Sequence, residues 1–199
     1  MQFEWFIHKT AYYSYYADDG CPFSFYVEVN RYSEDGKDDD EEENVFHGNF
    51  VLVNNWDEAD AYSGDACYAY ESSVFDNEII KKSFTLDGGV ENVPALILEH
   101  YEFTKAGSQM ALNEKVNCIT AALARCIPEV FAVKEKGIFF LYLKKEEEDI
   151  CSSLKNGLNF VYPDEKAKPN TPDYANLFGI AEKSVVKKLL NFDCSNNRK

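Results

Sequence analysis

The sequence predicts an α+β fold, with a central mixed β-sheet flanked by helices, in one domain over residues 1–199. Three observations predict it. The first third alternates apolar and polar residues in extended stretches. Near the middle, an apolar run is followed by a short turn and a helix-period apolar stripe. The C-terminal half continues with strand and helix patterns in turn. Apolar residues make up 45% of the chain, with 15 Phe and 13 Tyr, which is enough to bury a core and excludes global disorder.

Residues 3–7 and 11–16 (FEWFI, AYYSYY) are aromatic and extended in character. Phe25, Val27 and Val29 then alternate with polar residues, the signature of a half-buried strand. Residues 33–44 hold eight acidic residues among the ten from Glu34 to Glu43. Self-repulsion and the lack of apolar groups make that stretch a solvated, mobile loop. Strand character resumes around Phe50–Val53. Residues 57–73 are polar and aromatic and read as loop with a helical turn. Residues 73–89 fit a strand or a short helix, with Gly88 and Gly89 marking a turn.

Val93–Phe103 is the strongest strand, and its near-continuous apolar character predicts a central strand buried on both faces. A long helix follows Gly107. Leu112, Val116, Ile119, Leu123 and Cys126 form its apolar stripe, Ser108 is its expected cap and Pro128 its expected end. Val130–Val133 or Ile138–Leu143 supplies the next strand. Residues 146–158 read as a short helix closing at Gly157, and residues 158–163 as a short strand. A last helix is expected from Pro172, capped by Thr171. Its face of Tyr174, Phe178, Ala181, Val185 and Leu189 is expected to be core or the seam of a homodimer.

From about Gly48 to Phe192 the order of elements resembles the GCN5-related N-acetyltransferase family. The residues that carry the likeness are Pro94-Ala-Leu-Ile-Leu98 in the strand, Ser108–Cys126 in the helix, and Ser153-Leu-Lys-Asn-Gly157-Leu158 near the end of the short helix. The resemblance implies an acetyltransferase-like central mixed sheet and acetyl-coenzyme A as cofactor, held where two parallel strands splay apart. It also implies that backbone N–H groups at the start of the long helix hold the pyrophosphate, because unpaired amides and the helix dipole favour anions there. The residues implied for cofactor binding are Tyr101, Phe103, Ala106, Gly107, Ser108, Gln109 and Met110. The general base implied for an amine substrate is a carboxylate on the central strand, Glu99 or Glu102. Simple alternation puts Glu99 and Tyr101 on one face, and His100 and Glu102 on the other.

Two departures stand out. The family's turn runs Arg/Gln-x-x-Gly-x-Gly/Ala, whereas Thr104-Lys-Ala-Gly-Ser-Gln109 has one glycine, with Gln109 at the second small position and Thr104 at the lead. Ser153 stands where the family carries the tyrosine that protonates the departing thiolate, and serine is a far poorer acid. These departures set an active enzyme against a scaffold that has kept the fold without the activity.

Charge suggests a second class of function. Residues 1–70 contain 16 acidic and 3 basic residues, a net of −13 out of −15 for the chain. A surface this acidic repels nucleic acid and anionic lipid and attracts a basic protein partner. The alternative to an enzyme is therefore a non-catalytic interaction or inhibitor protein of the nucleic-acid-mimic type. It would occupy a basic site on a partner through the N-terminal third.

The six cysteines form no C-x-x-C pair and no zinc spacing with His8, His47 or His100, so reduced thiols, a cytoplasmic protein and no metal are expected. No apolar run reaches ~18 residues and the N-terminus lacks a secretory pattern, so no membrane association is expected.

Overall fold

The computed structural model describes residues 3–13, 23–33, 43–71, 93–133, 136–144, 147–158 and 174–181. The fold is α+β. Its sheet has six strands in the order of the chain: β1 (Phe3–Tyr13), β2 (Phe23–Ser33), β3 (Glu43–Val53), β4 (Ala95–Phe103), β5 (Gly137–Lys144) and β6 (Tyr174–Ala181). All neighbours are antiparallel except β4 and β5, so the sheet is mixed. Among the described residues the helices are α1 (Trp56–Tyr62), α2 (Gly64–Tyr70), α3 (Lys105–Ser108), α4 (Leu112–Val133) and α5 (Glu148–Leu158).

The period-2 pattern of the strands divides the core between two faces. On one face Phe25, Val27, Val29, Phe46, Phe50, Leu96, Leu98, Phe139 and Leu141 pack with Ile119, Leu123 and Cys126 of α4 and with Leu154 of α5. On the other, Val51, Val53, Ala95, Ile97, Ile138 and Phe140 pack with Ala59 of α1 and Ala66, Ala69 and Tyr70 of α2. The strands β4 and β5 thus lie between two helical layers, which explains their unbroken apolar runs.

Four expectations are corrected. Residues 57–70 form two short helices rather than loop. Asn55 caps α1 by accepting the N–H of Glu58 at 2.9 Å, and Ser63 caps α2 by accepting that of Ala66 at 3.0 Å. Ser108 does not cap the long helix. It ends α3, its hydroxyl donates to the Lys105 carbonyl, and α4 starts only at Leu112. Pro128 does not end α4, which runs on to Val133 with one backbone donor fewer. Val130–Val133 is therefore helical, and Ile138–Leu143 is the strand.

The last correction concerns Tyr174–Ala181, which is strand β6 and not a helix. Its register with β5 runs from Gly137↔Ala181 to Lys144↔Tyr174, and this covers the free side of a strand already buried on both faces. Satisfying that edge outweighs a helical spacing that Gly179 weakens in any case. The acidic stretch from Glu34 to Glu42, residues 73–89, residues 159–163, the expected cap Thr171 and the residues after Ala181 lie outside the described residues.

Candidate functional site

The pairing of β4 with β5 is short. It runs Ala95↔Ile138, Leu96↔Phe139, Ile97↔Phe140 and Leu98↔Leu141 and then stops, although β4 continues to Phe103 and β5 to Lys144. The β3–β4 register shifts at the same level, from Phe50↔Leu98 to Asn49↔His100. Glu99 is the extra residue, a bulge, and a bulge re-aims the side chain it carries.

This overturns simple alternation. Glu99 lies on the α1–α2 side, and Tyr101 lies in the core on the opposite face beside Phe46 and Leu98. The Glu99 carboxylate accepts the Tyr62 hydroxyl at 3.2 Å and the Ser63 hydroxyl at 3.2 Å, so the α1–α2 junction closes over it. Burial raises its pKa above the usual carboxylate range. The two hydroxyls oppose that shift, and the Asp65 carboxylate adds to it. From β5, Tyr142 points to the same face; its hydroxyl donates to the Asp65 carbonyl. Burial pushes that phenol upward, with Asp65, Tyr68 and Glu99 adding to the shift. A half-buried carboxylate among hydroxyls at the end of a ladder is suited to holding a proton or a cation.

Glu102, the other predicted base, stands apart. It is 57% exposed and lies 3.5 Å from Nε2 of His47, on the open part of the sheet. The exposed His100 pairs with Asn49 across the ladder.

The predicted phosphate turn has a different occupation. A second bulge sits in β3, where the register passes from Val29↔Phe46 to Asn30↔Asn44 and leaves Val45 as the extra residue. The Val45 carbonyl accepts the Thr104 N–H at 3.1 Å, and the Asn44 carbonyl accepts the Thr104 hydroxyl at 2.7 Å. These bonds seat α3 on the sheet. A Cβ added to Gly107 would lie 1.8 Å from the Val45 oxygen, so this glycine is where two backbones meet.

The amides from Gly107 to Ala111 are already used. Gly107 N–H donates to Thr104 Oγ1, Ser108 N–H to the Thr104 carbonyl, Gln109 N–H to that of Ala106, and Met110 N–H to that of Gly107. Ala111 N–H donates to the Glu114 carboxylate at 2.9 Å, the reach-back half of a capping box. None of these five amides is turned to a pyrophosphate, and Glu114 adds negative charge at the helix mouth.

The remaining predicted cofactor residues serve packing. Met110 is buried in the core, and Ala106 and Phe103 pack against it; the Lys115 ammonium lies 5.5 Å from the Phe103 ring centre. Gln109 is exposed at the end of α3. Ser153 donates its hydroxyl to the Asp149 carbonyl within α5.

Sequence reasoning missed Tyr62, Ser63 and Tyr142. Asn55-Trp56 and Ser63-Gly64 are cap signals that reveal α1 and α2, but no sequence signal brings them to Glu99. Among the described residues no group of three His, Cys, Asp or Glu is placed to hold a metal, and no helix is long and apolar enough to cross a membrane. Comparisons with family models, with curated proteins and with solved structures find no match for this chain.

Proposed function

We propose that this chain is a non-catalytic binding protein on an acetyltransferase-like sheet, which takes a cationic group of a basic protein partner onto its acidic side. The observation that carries the proposal is the turn after β4. Its amides from Gly107 to Ala111 are committed internally, and Glu114 stands at the helix mouth. Five amides that would otherwise be offered to a pyrophosphate are bonded within the protein, which supports a binding role over a cofactor site.

The chemistry of the other side suits a cation. Helices α1 and α2 bring Asp57, Glu58, Asp60 and Asp65, with Glu71 just after them, and no lysine or arginine occurs from Asn54 to Ile80. Tyr68 is exposed on the same pair of helices, and Glu99 lies half-buried beneath their junction. Clustered carboxylates steer cations over distances limited by salt. On this reading the protein works in the cytoplasm, where cysteines such as Cys67 stay reduced.

The test is calorimetry with a lysine-rich peptide at low and moderate salt. Binding that weakens steeply with salt is expected, together with an unchanged melting temperature in millimolar acetyl-coenzyme A. Salt-insensitive binding, or none, sinks the proposal.

A second reading is acetyl transfer to an amine. It is favoured by the ladder that ends at Leu98–Leu141, with Glu99 set at that point by a bulge. Glu99 would then take the amine proton through a water, and the turn would have to release its amides. A rise in melting temperature with acetyl-coenzyme A that persists in Glu99→Gln, together with turnover that this variant loses, would establish this reading over the first.

A further inference from the structure

Strands that part company leave backbone groups to be satisfied. Beyond Leu98 and Leu141 the Tyr101 side chain, 2% exposed, reaches from β4 to the end of β5. Its oxygen accepts the Lys144 N–H at 3.0 Å, and its hydroxyl donates to the Glu147 carboxylate, one residue before α5. The Phe46 and Phe103 rings hold it at 6.0 and 5.9 Å between centroids, and the Lys144 ammonium lies 5.7 Å over its face.

Both polar partners belong to the segment that joins β5 to α5. An ordinary core tyrosine needs only one partner, wherever one lies. Here two bonds converge from one segment, at the place where the ladder has stopped.

We propose that Tyr101 is a conformational latch that closes the wedge between β4 and β5. When its phenol lets go, the end of β5 and the start of α5 move away from β4 together, while the ladder from Ala95 to Leu98 stays paired. Burial pushes the phenol upward in pKa, which keeps it a donor to Glu147 at any ordinary pH. The latch is a property of the fold and stands whichever partner the protein binds.

Hydrogen exchange on the full chain tests it, with Tyr101→Phe and Glu147→Ala beside the wild type. In Tyr101→Phe the Lys144 amide should exchange roughly two- to tenfold faster, the range expected for one lost hydrogen bond, while the amides of Ile138–Leu141 keep their rates. Glu147→Ala leaves the ring packing intact and should move Lys144 in the same direction, so it decides the matter if Tyr101→Phe does not fold. An unchanged Lys144 amide overturns the latch. So does equal acceleration along all of β4 and β5, because Tyr101 would then be core and nothing more.

Discussion

Replacing Gly107 by alanine separates the two roles a glycine can have in this turn. A methyl group there would lie 1.8 Å from the Val45 oxygen, 2.8 Å from its carbonyl carbon and 3.3 Å from its Cα. The obstacle is backbone within a bulge of the sheet, not the end of a flexible side chain. Helix α3 must therefore move off β3 by more than an ångström. That motion stretches the bonds from Thr104 to the Val45 and Asn44 carbonyls, which measure 3.1 and 2.7 Å. Overpacking costs about 1–3 kcal/mol, and each weakened bond about 1 kcal/mol. Alanine's better helix propensity returns about 1 kcal/mol. The net loss is about 2–4 kcal/mol, which for a chain of this size lowers the melting temperature by roughly 10 °C. Urea and thermal unfolding measure it directly. If Gly107→Ala unfolds within about 0.5 kcal/mol of the wild type, the close approach to Val45 is not what requires glycine. A glycine kept only for a ligand's approach would give that result.

Three more outcomes follow from the geometry. Glu99 has a raised pKa in the folded protein, so its contribution to stability is full below the unfolded pKa, near 4.3, and is lost as pH rises through the folded value. Glu99→Gln should flatten the pH dependence of unfolding above that point; a profile parallel to the wild type would contradict the shift. Ser63→Ala removes the α2 cap and one hydroxyl from Glu99, so it should cost about 1 kcal/mol and raise the Glu99 pKa further, which a carboxylate-resolved NMR titration reads. Glu114→Ala should cost about 1 kcal/mol by chemical unfolding and free the Ala111 amide, so inorganic pyrophosphate should stabilise this variant more than the wild type.

Much of the fold was legible in the sequence because local pattern and burial agree there. The run Ala95–Phe103 reads as a central strand and is one, and over Ala95–Leu98 both of its faces are covered. Of the stripe Leu112, Val116, Ile119, Leu123 and Cys126, the last three are the buried face of a helix and Val116 packs beside them, whereas Leu112 at the helix start is 42% exposed. Legibility failed where a distant partner outweighed local preference. Tyr174–Ala181 has helical spacing but becomes a strand, because the side of β5 away from β4 needs hydrogen-bond partners. Helices α1 and α2 hide in a polar stretch whose caps, Asn55 and Ser63, carry more information than its hydrophobicity does.

The site divides along the same line. Composition alone established the acidic first third, whereas Glu99 became a candidate, alongside Glu102, through the family resemblance and its place on the central strand. Which face Glu99 takes depends on a bulge, and a bulge is a matter of register between strands far apart in sequence. The single glycine of the turn is visible in the sequence, but its reason is the Val45 carbonyl, contributed by a strand that ends before α1 begins. Local sequence determines which groups are present and the periods they follow. Only the tertiary structure decides which backbone amides are already spent, because their acceptors include a carboxylate on the next helix and the whole turn is seated on another strand.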